Sequence, residues 1–195
     1  MNSSAPYVKY SNLYDELVIL INEANGRIIR EEPDPYIYNN ANFFIKSFLI
    51  VACTYLESYL KEISEQVIEK YEKTLLEHPL PYNLIKWGVD NNKDKQFKFE
   101  NFELGIKKKD IDDIISGNVH KTINLFTKLG IEITSEERFS NNKDVVGTIV
   151  TKRNNIVHHN DDASDVSFPD IMDYIKIFKE YLKAIDDKVL ATALF

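Results

Sequence analysis

The chain has 195 residues, 44% of them apolar and 28% charged, with a net charge of −7. Those totals suit one ordinary domain with a substantial core and exclude a disordered chain. The acidic balance excludes a protein that coats nucleic acid through bulk charge, because phosphate binding of that kind needs a basic face.

In chain order, Tyr10, Leu13, Tyr14, Leu17, Ile21, Ala24 and Ile28 recur at helical spacing and predict an amphipathic first helix, stopped by Pro33 and Pro35. Asn39 to Asn42 offers capping residues for a second helix running to about Leu76. Its first half, Phe43 to Leu60, is apolar enough to resemble a membrane span, but Lys46, Glu57 and several hydroxyls interrupt it, so a core helix with no membrane is expected. The mixed charges of Lys61 to Lys73 predict a solvated face.

His78-Pro79-Leu80-Pro81 ends that helix, since proline removes a ladder donor and restricts the residue before it. The stretch from there to Gly105, with Asn91-Asn92-Lys93-Asp94-Lys95, reads as a loop. The alternation in QFKFENFEL has no partner strand and predicts aromatic anchors rather than a sheet. A short helix over Asp110 to Ser116 is closed by Gly117, and Asn118 caps the next, which Gly130 ends. Helical pairs of this kind also occur in DNA readers, but only Lys121 and Lys128 charge the segment Val119 to Leu129, which ranks that reading last.

In Asp144 to Asp162, Val146, Ile149, Val150, Ile156 and Val157 mark one buried helical face, and Arg153 falls inside it. A guanidinium there stays charged and requires an anion, a wet cleft or a partner chain. Glu57 is the obvious anion. His158 follows five residues on, about 140° round an ideal helix from Arg153, whereas Asn154 and His158 share a face. A polar loop leads to Ser167-Phe168-Pro169-Asp170, a helix start with a cap, an early proline and a first-turn carboxylate. The final helix carries Ile171, Tyr174, Ile175, Phe178, Leu182, Ile185 and Val189 on one face. The expected architecture is all-α, a single domain over residues 1–195 built as a bundle of about five main helices.

Arg153-Asn154-Asn155-Ile156-Val157-His158 resembles the R-N-x-x-x-H form of the Arg-x4-6-His motif of HEPN ribonucleases. The segment KTINLFTKLG before it is similar to the short helix that precedes the motif helix in HEPN members. ACTYLESYLKEI, with Leu56-Glu57, resembles their long second helix. The resemblance implies a twofold dimer in which two motif helices line one composite cleft, with RNA as substrate and a toxin or antiviral setting with a cognate antitoxin or regulatory protein. It also implies a metal-independent endoribonuclease that leaves a 2′,3′-cyclic phosphate, with Arg153, His158 and Asn154 as catalytic residues. Lys152 and His159 are expected on the substrate side, Glu57 as the support, and neither cofactor nor metal is expected; His159, Asp161 and Asp162 make a poor first shell for a metal.

That chemistry suits the residues. Cleavage through the 2′-hydroxyl needs a proton acceptor, a proton donor to the leaving 5′-oxygen and a cation for the phosphorane. Histidine serves either proton role and the arginine fork serves the third. Asn160 stands two residues after the histidine, where one branch of HEPN toxins has tyrosine, so control by modification of that tyrosine is not expected. A second reading is a non-catalytic HEPN-like module that binds nucleotide or RNA, or serves in assembly. The single cysteine, Cys53, excludes an internal disulfide, and MNSSAPYVKY lacks the pattern of a signal peptide; a cytoplasmic protein is expected.

Overall fold

Ser4 accepts a hydrogen bond from the Tyr7 amide through its side chain and Pro6 follows at an early helical position, so α1 starts at Ala5 and runs to Ile28. The computed structural model describes residues 3–90, 98–159 and 161–192. Asp34 caps a short helix, α2 (Pro35–Asn39), by accepting from the Tyr36 amide at 2.9 Å. Pro35 therefore opens a helix as well as separating two, because the missing amide of a first-turn residue costs nothing. After it α3 (Ala41–Glu77) spans 37 residues, α4 covers Tyr82–Asp90 and α5 Lys108–Asp112. Then come α6 (Val119–Lys128), a 3₁₀ turn at Ile133–Ser135, α7 (Glu137–His159) and α8 (Phe168–Leu190). Among the described residues the chain is all-helical, with one isolated β-bridge between Pro81 and Asn101.

The core lies where α1, α3, α7 and α8 meet, with α7 packed chiefly on α8 and α1 on both α3 and α8. Tyr14, Tyr59, Phe139 and Phe178 are fully enclosed there. Each such side chain contributes about 1.5–3 kcal/mol by leaving water. Two of the buried phenols reach backbone carbonyls: Tyr14 donates to that of Ala52 at 2.8 Å and Tyr59 to that of Leu182 at 3.2 Å. Burial pushes both hydroxyls well above the ordinary tyrosine range, so they remain neutral donors. The fully buried Asp186 on α8 accepts from the Ser4 amide and so ties the start of α1 to the last helix.

Several expectations are revised. The stretch after Pro81 holds a helix, α4, with Leu84, Trp87 and Val89 exposed and Tyr82 and Ile85 only half-buried; it puts no fully buried side chain into the core. Of the expected aromatic anchors, Phe102 stacks on Tyr82, Phe99 is exposed, and Phe97 with Asn91 to Lys95 lies outside the described residues. Lys61 to Lys73 is solvated on one face only, since Ile63, Ser64, Val67 and Ile68 are buried. The helix carrying Arg153 begins at Glu137, where Phe139 enters the core. The helix before Gly117 spans Lys108–Asp112, starting earlier and ending sooner than Asp110 to Ser116.

One described helix, Ala41–Glu77, is long and apolar enough to cross a membrane by length and composition. Leu49, Ala52, Cys53, Leu56, Tyr59, Leu60 and Ile63 along it are enclosed by the bundle, whereas Phe43 is exposed and Phe44, Ile45, Phe48, Ile50 and Val51 are half-buried.

Candidate functional site

Two antiparallel helices, α3 and α7, build the centre of the site. Val146, Ile149, Val150 and Ile156 of α7 are buried inside the single chain, whereas Val157 at the end of the stripe is about half exposed. The stripe is therefore mainly a core face of the monomer.

Arg153, within that stripe, points to α3. Its Nη2 donates to Glu57 Oε1 in an ion pair whose side chains retain 16% and 29% of their exposure. A pair so shielded is screened little by salt, and either partner alone would be costly to keep. Glu57 Oε1 also accepts from the Gly117 amide at 3.0 Å. The segment before α6 is thereby pinned to the same carboxylate. A side chain at position 117 would meet the Val150 methyl at 2.9 Å, so glycine is required by close approach. The buried Nε of Arg153 makes no hydrogen bond, leaving the fork with donor capacity beyond its bond to Glu57.

Cys53, one turn before Glu57 on α3, lies against this pair. Burial pushes its thiol up to about 12, against a smaller opposing effect of Arg153. It is a structural thiol rather than a nucleophile.

The histidines are placed differently. His158 and His159 occupy the last turn of α7 and are exposed, and neither makes a side-chain hydrogen bond or ion pair among the described residues. α7 stays helical through both, so the turn of about 140° between Arg153 and His158 persists: the cation faces α3, the imidazole solvent. One chain brings Arg153 and Glu57 together and does not aim His158 at them. Lys152 is engaged by Asp165 in the loop after α7, and this pairing holds the Asp165 carboxyl below the usual range. Lys46 meets Asp162 at 3.4 Å, fastening the same loop to α3. Asn160 lies outside the described residues.

Asn154, half-buried, faces a groove of about 670 Å³ between α6 and α7, across from His120. Sequence reasoning gave His120 no companion, and it also missed the roles of Gly117 and of the groove. All three depend on α6 crossing α7, which no local pattern announces. Among the described residues no group of three or more His, Cys, Asp or Glu side chains gathers as a metal site would.

A family model described as RiboL-PSP-HEPN matches residues 9–191. No curated protein and no solved structure matches the chain.

Proposed function

Because this chain belongs to the RiboL-PSP-HEPN family, which supports a nuclease or other RNA-related function, we propose that it is an endoribonuclease cutting single-stranded RNA without a metal. The observation that carries the reading is Arg153, a shielded guanidinium held by Glu57, on the same helix as the exposed His158, which has no partner among the described residues.

The 140° offset calls for a second copy. Two α7 helices packed about a twofold axis would put the His158 of one chain near the Arg153 of the other, with the half-exposed Val157 at the contact. One imidazole takes the 2′-hydroxyl proton as that oxygen attacks the adjacent phosphorus. The other, protonated, gives a proton to the leaving 5′-oxygen, and the product ends in a 2′,3′-cyclic phosphate. Arg153 meets the added charge of the phosphorane, its fork already oriented by Glu57 so that little order must be acquired in the transition state. Once substrate is bound, Asn154, whose side chain makes no hydrogen bond among the described residues, would turn to His158 or the phosphate from the shared face. Lys152 and His159 contact the flanking strand, which requires Lys152 to exchange Asp165 for phosphate. Single strands suit the site because their sugars reach in-line geometry freely. By the family resemblance, the cellular setting is a toxin or antiviral system with a cognate inhibitor.

The test is cleavage of a mixed single-stranded RNA pool in EDTA by wild type, Arg153→Lys and His158→Ala at matched dimer content. Wild type should cut and leave cyclic phosphate ends. His158→Ala should lose at least about a hundredfold, the usual worth of a general acid or base. Arg153→Lys keeps the charge but not the fork and should also cut poorly. Equal cutting by all three would overturn the assignment. A second reading, a binding module that does not cleave, is favoured by one feature: no described group orients either imidazole. Tight RNA binding by a wild type that never cuts would establish it.

A further inference from the structure

The groove between α6 and α7 ends beside the proposed catalytic histidine, since Asn154 lines it and lies four residues before His158 on the same face. On α7 its wall runs from Lys143 to Asn155, about 18 Å at the rise of an α-helix. Its chemistry is not that of a phosphate channel. Lys152, paired with Asp165 until it takes the flanking phosphate at the His158 end, leaves the rest of the groove one lysine, Lys143, against the carboxylates of Asp144 and Asp161. The other polar groups are amides, hydroxyls and the His120 imidazole, which are the groups that read base edges and stack on them.

Much of this hydrogen-bonding capacity is unused. The side chains of His120, Lys143, Asp144, Asn154 and Asn155 make no hydrogen bond or ion pair among the described residues. Asp144 is exposed at the end of the groove away from His158; its backbone lies in the helical ladder and its carbonyl also accepts from the Thr148 hydroxyl at 3.0 Å, while its carboxylate has no partner among the described residues. A free carboxylate accepts hydrogen bonds and donates none. Cytosine and adenine present an amino group to such an acceptor, whereas uracil presents a carbonyl oxygen at the corresponding position.

We propose that this groove seats the nucleotides beside the cleaved phosphate with their bases inward, and that Asp144 selects bases bearing an exocyclic amino group over uracil. The inference rests on the ribonuclease reading for its substrate, but base selection is measurable without cleavage. Its backbone phosphates face solvent, so an acidic protein can hold this substrate without a basic channel.

The experiment is equilibrium binding, by fluorescence anisotropy, of 2′-fluoro decamers of cytidine, adenosine and uridine, which cannot be cut through a 2′-hydroxyl. Wild type is compared with Asp144→Asn, an exposed change whose folding is checked by thermal melting. The cytidine and adenosine decamers should bind wild type about tenfold more tightly than the uridine one, as expected for a hydrogen bond to a charged group. Asp144→Asn should bring the three within about twofold, because the amide can also donate to uracil. Equal affinities in wild type, an unchanged ratio in the variant, or no binding would each overturn the proposal. Ordinary RNA assayed in parallel separates the two readings. Cleavage without the affinity ratio sinks the groove alone, whereas the ratio without cleavage upholds base selection and sinks the nuclease.

Discussion

The two sides of α7 differ in how firmly they hold their functional groups. On the α3 side, Arg153 sits among buried aliphatic residues, bonded to a carboxylate that also holds the backbone at Gly117. On the opposite side His158 stands exposed in the last helical turn with no partner among the described residues. One side is set by packing before any ligand arrives; the other is left for substrate or a second chain to order. A charge that must be desolvated needs such a built environment, whereas an imidazole that exchanges protons must be reachable.

The contrast can be broken most severely at Glu57. Glu57→Ala leaves a shielded guanidinium unpaired and the Gly117 amide unbonded; discounted for the remaining exposure, this should cost about 2–4 kcal/mol, read by urea unfolding. A loss below about 0.5 kcal/mol would mean that the pair is an ordinary surface bridge. Next comes Gly117→Ala, whose new methyl would press on Val150 at 2.9 Å and should cost about 1–3 kcal/mol as overpacking, read the same way.

Cys53 sharpens the comparison in a different measurement. Enclosed against the Arg153 pair, with its thiol pushed up to about 12, it should resist a thiol reagent at pH 8 in the folded protein and react fully in denaturant. Prompt labelling of the native protein would show that this side of α7 opens. The smallest effect on stability belongs to the other side: His158→Ala should shift unfolding by less than about 0.5 kcal/mol, the usual range for an exposed site. A larger loss would give His158 a structural role.

Much of the helical framework was legible locally. Ser167 and Asp170 announced the start of α8 and reciprocate in a capping box. Asn118 caps α6 by accepting from the amides of His120 and Lys121, and Gly130, with φ of 76°, stands just past its end. These signals lie within a few residues of the structure they specify. The α4 helix escaped because most of its apolar residues face solvent, and the early start of α7 escaped because its first turns are mostly polar. The Arg153–Glu57 pair was legible because each charge interrupts an otherwise apolar helical face, and a shielded charge demands its opposite.

By itself the sequence determined the helix boundaries set by caps, glycines and prolines, the apolar stripes, and the presence of an arginine that had to be paired. Only the tertiary structure decided that α3 and α7 run antiparallel with Glu57 opposite Arg153, that Gly117 shares that carboxylate, and that His120 faces Asn154 across a groove. The physical reason is the range of the forces involved. Capping and periodicity act over one or two turns of chain, whereas the pairing of charges 96 residues apart follows from which apolar faces bury one another.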